Sequence, residues 1–146
     1  MPRIEELISH RPPMRLLDEL VSHSDEVTTC RVRITAQSPF VRHGRVPCLV
    51  AVEYVAQCIA AHSTLQSMRA AGGAPLSPRI GYLIGVRQFE LHRSHFSVGE
   101  ELMVRAKHVW GNHQAAVFHG EVTCGDSVAA EGDLTVALPA DEGGAS

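Results

Sequence analysis

The chain of 146 residues has no basic surplus, no paired-cysteine motif, no glycine-rich phosphate loop and no apolar run long enough to cross a bilayer. Each absence narrows the function. With 13 Lys and Arg against 16 Asp and Glu, the formal net charge is −3. No basic stripe is available to follow a phosphate backbone, which excludes the usual nucleic-acid partner. The four cysteines, at 30, 48, 58 and 124, form no CxxC pair and no zinc-like spacing, so they read as small buried hydrophobes in a reducing compartment. The N-terminus, MPRIEELISHRPP, carries acids in its first turns and lacks the apolar segment of a signal peptide. The longest apolar stretch is broken by Glu53 and Gln57 and is expected to be too short and too polar for a membrane span. A cytoplasmic location is expected.

Metal and nucleotide sites are not expected either. His92 and His95, in HRSH, would share a metal only on a helix, and they close a strand. Gly81 and Gly85 lie within a strand pattern, where they are expected to permit close packing against a helix. No cofactor is implied.

What remains is an ordinary globular composition, 45% apolar and 20% charged. The length suits a single domain, expected over residues 1–139, that buries roughly two thirds of its unfolded surface. The tail ADEGGAS, from residue 140, is expected to be disordered.

Periodicity organises the chain. A short helix is predicted over residues 3–9, ahead of the Pro12–Pro13 pair that forces an extended path. Strands are predicted over 15–22 and 26–35. In the second, Thr28, Cys30, Val32 and Ile34 alternate with Val27, Thr29, Arg31 and Arg33. Pro47 at the first helical position and Gly72–Gly73 past the end bracket a helix of about six turns. Its first four turns are apolar nearly all round, and it turns amphipathic from His62 onward, so its N-terminal half should lie deeper. Strand-like runs follow at 79–91, 101–110, 114–124 and 127–138, separated by turn signals at Val98–Gly99, Gly111–Asn112 and Gly125–Asp126. One long helix with about six strands to cover it implies an α+β protein with an antiparallel sheet curled around a central helix, the outline of a hotdog fold.

The central helix carries an anomaly. The fifteen-residue stretch from Pro47, PCLVAVEYVAQCIAA, holds a single charged side chain, Glu53. Removing an ionised carboxylate from water is unfavourable unless it is paired, hydrogen-bonded or protonated. Gln57, one turn on, is a ready structural partner. A carboxylate held this way is equally a candidate general acid.

Linked motifs carry a family resemblance. HRPPMRLLDELV at 10–21, VPCLVAVEYVAQ at 46–57 and VGEEL at 98–102 resemble the hotdog 3-hydroxyacyl-acyl-carrier-protein dehydratases of fatty-acid synthesis. IGYLIGVR at 80–87 is similar to an element of the branch found with aryl polyene biosynthesis. The resemblance runs from about residue 4 to residue 138. It implies dehydration of a 3-hydroxyacyl thioester, linked to an acyl carrier protein or coenzyme A, to the trans-2-enoyl thioester. That reaction needs an acid for the departing hydroxyl, a base for the proton beside the carbonyl, and dipoles for the enolate-like oxygen.

By resemblance Glu53 is the acid, and the N–H groups of Cys48 and its neighbours at the helix start bind the thioester oxygen. Phe40, Pro47, Cys48, Leu49 and Gln57 are the implied substrate-binding positions. The family's loop histidine does not map, because its position, fourteen residues before the acid, is Pro39. The nearest replacement as base is His43, ten residues before Glu53. Cys48 replaces an alanine of the aryl polyene branch, and reads as a small residue allowing close approach or as a thiol with a lowered pKa at a helix N-terminus. Arg42 and Arg45 form a local patch on which an anionic acyl carrier protein could dock. A dimer with an identical or related hotdog subunit is expected, since the sheet has an edge to pair and family sites form between subunits. Two other functions stay open: a hotdog thioesterase whose helix acid activates water, and a non-catalytic partner of a dehydratase heterodimer.

Overall fold

The computed structural model describes residues 2–9, 14–73, 82–112 and 114–137. His10, the Pro12–Pro13 pair, Gly81 and the tail from residue 138 lie outside the described residues. In chain order the elements are α1 (Ile4–Leu7), β1 (Glu19–His23), β2 (Val27–Arg33), β3 (Arg45–Pro47), a 3₁₀ turn (Cys48–Val50), α2 (Ala51–Ala70), β4 (Tyr82–Leu91), β5 (His95–Ser97), β6 (Glu101–Gly111), β7 (Ala115–Cys124) and β8 (Ser127–Ala137). Six strands form one sheet in the order β1-β2-β6-β7-β8-β4, with every pairing antiparallel. Strands β3 and β5 make a separate two-stranded ribbon.

The long helix packs on this sheet through the period-two face of its strands. Thr28, Cys30 and Val32 of β2, Leu102, Val104 and Ala106 of β6, and Ala116, Phe118, Gly120 and Val122 of β7 all point inward and are buried. Each large aliphatic or aromatic side chain buried this way contributes about 1.5–3 kcal/mol. The helix contains neither proline nor glycine, and a Schellman motif stops it. Gly72 and Gly73 adopt φ of +75° and +88°, Gly73 N–H donates to Met68 O at 2.7 Å, and Gly72 N–H to Arg69 O at 3.1 Å. Helix and sheet approach closely at Gly120, where a Cβ would lie 2.3 Å from Val55 Cγ1.

The expected central helix and antiparallel six-stranded sheet are therefore present, and four details differ. Pro47 ends β3 rather than opening the helix, because the next three residues first make a 3₁₀ turn. The first strand begins at Glu19 instead of residue 15, since the Leu16 N–H is drawn away to the Gln57 side chain. Gly85 does not meet the helix, because a Cβ there would find only ordinary contact with Thr135.

The fourth difference concerns the middle of α2. His62, Ser63 and Thr64 are buried rather than marking the start of a solvated face, because other elements supply their partners. Thr64 Oγ1 donates to Leu7 O of α1 at 2.7 Å. Thr28 Oγ1 lies 2.8 Å from both His62 Nδ1 and His23 Nδ1. A hydroxyl has one proton to donate, so when both bonds form, one ring donates and the other accepts. Burial, reinforced by His23 and His108, pushes the His62 pKa down to about 4.

Candidate active site

The helix start is fixed from two sides. Pro47 pairs with His95 in the β3–β5 ribbon, and Cys48 N–H donates to Ser94 O at 3.0 Å in the turn leading into β5. That bond engages the Cys48 amide, and the Ala51 N–H is used within the turn itself. The 3₁₀ turn itself engages the Val50 N–H with Pro47 O, so among the described residues the Leu49 N–H is the first-turn donor left over by this arrangement. The Cys48 thiol is buried, donates to Ala129 O at 3.6 Å, and has its pKa raised by burial. Of its two readings, these surroundings fit the small packing residue.

Glu53 stands in the first turn of α2, half-buried, on a groove of about 590 Å³. Leu49, Val52, Val86, Phe89 and Leu91 complete the lining, so Glu53 is its only ionisable side chain among the described residues. Gln57 fixes the acid from behind. It is fully buried, and its Nε2 donates to Glu53 Oε1 at 3.2 Å and to Met14 O at 2.8 Å. Its Oε1 accepts from Leu16 N–H at 2.8 Å. The amide thus ties the chain leading to β1 onto the helix and orients the carboxylate in one stroke.

The two loop residues stand apart. His43 and Gly44, with φ of +52° and +74°, form the tip of a tight turn closed by Arg42 N–H to Arg45 O at 2.8 Å and Arg45 N–H to Arg42 O at 3.0 Å. This positive-φ pair is the signature of a type I′ turn. His43 is exposed there and does not line the Glu53 groove. Phe40, also at positive φ (+67°), is 56% exposed and outside the groove as well. Pro39 lines a different cavity, of about 230 Å³, together with Tyr54, Leu16 and Asp18. Burial and the neighbouring Asp18 raise the Tyr54 phenol pKa.

Within one chain the structure therefore brings together Glu53, Gln57 and Leu49 at the helix start, and leaves His43 and Phe40 on the outside. Sequence reasoning missed the opposite wall, Val86, Phe89 and Leu91 of β4. Their run reads as a strand, and nothing in a strand pattern says which residues face a helix acid distant in sequence.

A family model for ApeP-like proteins, described as ApeP dehydratase, matches residues 2–145. The chain belongs to this family. Comparison with curated proteins gives no match. Among solved structures, the dehydratase heterocomplex ApeI:P from Xenorhabdus doucetiae is similar with a TM-score of 0.86 at 24% identity, over 98% of this chain and 94% of that one. Zebra fish thioesterase superfamily member 2 has a TM-score of 0.58 at 19% identity, over 83% and 80% of the two chains. The E. coli PaaI protein from the phenylacetic acid degradation operon has a TM-score of 0.62 at 13% identity, over 83% and 78%. At these identities the structural likeness establishes the fold, and the family model adds membership among the ApeP-like dehydratases.

Proposed function

We propose that this ApeP-family chain takes part in dehydrating a 3-hydroxyacyl thioester to the trans-2-enoyl thioester, with Glu53 as the acid. The observation that carries the reading is a carboxylate that, among the described residues, is the only ionisable group on an apolar groove and is held by a buried amide. An acyl thioester is mostly hydrocarbon, so it fits such a wall, and its one departing group, the 3-hydroxyl, needs one proton. Glu53 gives that proton, water leaves, and the Cα–H proton passes to a base as the double bond forms. The N–H group of Leu49 is suited to the thioester oxygen, with Pro47 and Cys48 holding the turn in place. Gln57 acts through Glu53, since its own amide is occupied by protein groups.

The base comes from outside this groove. His43 is the candidate, presented by a second chain, with Phe40 from the same loop against the substrate. The second chain pairs along β4, whose outer edge has no partner strand among the described residues and whose Leu83, Ile84, Val86 and Leu91 are exposed. Arg42 and Arg45 flank His43 and are exposed, which suits the phosphate or acidic surface of a carrier protein or coenzyme A.

A second reading rests on Pro39: the chain supplies Glu53 and one wall of the tunnel, while a related hotdog subunit supplies the histidine. The likeness to one chain of a heterocomplex favours a related rather than an identical partner. The two readings separate in one assay. Ultraviolet absorbance of the enoyl product from the chain alone supports the first, and absorbance only after a related subunit is added supports the second. Thiol release without enoyl product contradicts both and indicates a thioesterase.

A further inference from the structure

Strand β4 leaves its regular pairing with β8 between Arg87 and Glu90. The break is a bulge with Gln88 at φ +51°, a conformation that non-glycine residues rarely adopt. Opposite it β8 carries Gly132. A Cβ on Gly132 would lie 2.4 Å from Phe89 Cα and 2.8 Å from Phe89 Cδ2. No other residue than glycine leaves room for the Phe89 backbone and ring to lie over β8 at that point. Bulge and glycine together plant a half-buried aromatic ring in the wall of the Glu53 groove, beside Val86 and Leu91. Bulges commonly re-aim a side chain next to a functional site.

We propose that Phe89 sets the length of acyl chain the Glu53 groove accepts. The inference rests on the dehydratase reading and concerns the length of acyl chain that the site takes. The occupant follows from the lining. One carboxylate near the helix start marks the polar end of a ligand, and Leu49, Val52, Val86, Phe89 and Leu91 offer only hydrocarbon contact beyond it. Among these Phe89 is the bulkiest, and it sits where the strand geometry is distorted to hold it. A volume of about 590 Å³ is in the range of small-molecule pockets, so one ring more or less changes capacity substantially.

The test is calorimetric binding of saturated acyl-pantetheine thioesters, butanoyl to dodecanoyl, which cannot be dehydrated. Wild-type affinity should rise with chain length and then level off. In Phe89→Ala the levelling should move to longer chains, and the dodecanoyl-to-hexanoyl affinity ratio should rise roughly tenfold, a few buried methylenes' worth. Phe89→Leu should fall between, and Phe89→Trp should move the limit to shorter chains. These two milder variants carry the test if Phe89→Ala does not fold by circular dichroism. An unchanged ratio in folded variants overturns the proposal, as does a wild-type chain that binds no thioester. A change in self-association by sedimentation with the ratio unaltered also overturns it, because a partner chain and not an acyl chain then fills the groove. A ratio that shifts with Phe89 while no enoyl product ever forms sinks the dehydratase reading alone.

Discussion

At the scale of single residues, the site turns on one amide. Gln57 is fully buried and bonds Glu53, Met14 O and Leu16 N–H at once. Replacing it by leucine keeps the volume and deletes all three bonds, leaving two backbone groups without their partner at about 1–3 kcal/mol each. Gln57→Leu should therefore lower the urea midpoint by an amount equivalent to several kcal/mol. A loss under about 0.5 kcal/mol, the size of a neutral surface change, would mean that the amide holds nothing. The partnership of Glu53 with Gln57 was legible from the i, i+4 spacing and the apolar surroundings. Its second half was not, because the bonds to Met14 and Leu16 cross more than forty residues of chain.

At the scale of elements, hydrophobic periodicity carried the architecture and missed its close approaches. The α2 pattern and the Gly72–Gly73 stop were readable, as were the turns at Gly99, Gly111 and Gly125, all of which adopt positive φ. Two short strands, β3 and β5, were invisible because three residues each give no period to detect. The glycines were misassigned for a related reason. Gly85 seemed to admit the helix, whereas Gly120 does so, and only the registry of β7 against Val55 decides between them. Adding a methyl group there should destabilise by about 1–3 kcal/mol through overpacking. In a double-mutant cycle, Val55→Ala should recover much of the Gly120→Ala loss, with a coupling of about 0.5–3 kcal/mol read from urea midpoints. Strict additivity would show that the contact is relaxed elsewhere.

At the scale of the whole molecule, the groups of the candidate site lie apart within one chain. The acid, its positioning amide and an apolar wall share the α2–β4 groove, while His43 stands on an exposed turn and Pro39 lines another cavity. Sequence motifs singled out Glu53 and flagged Pro39 at the position of the family's histidine. They could not show that His43 would stay out of the groove lining, since that depends on the positive-φ path through Phe40, His43 and Gly44. The exposed apolar side chains of β4 supply the physical reason to propose a second chain, and the solved ApeI:P heterocomplex, similar in fold, is a parallel for one.

The central claim is that Glu53 donates the proton that lets the hydroxyl leave. It is tested most directly by Glu53→Gln in whichever assembly shows dehydration, comparing single-turnover enoyl formation with thioester binding. The amide keeps the size and the hydrogen bond with Gln57 but cannot serve as the acid. Enoyl formation should fall by about a hundredfold to ten-thousandfold with binding nearly unchanged. A variant that forms enoyl thioester at the wild-type rate would contradict the account.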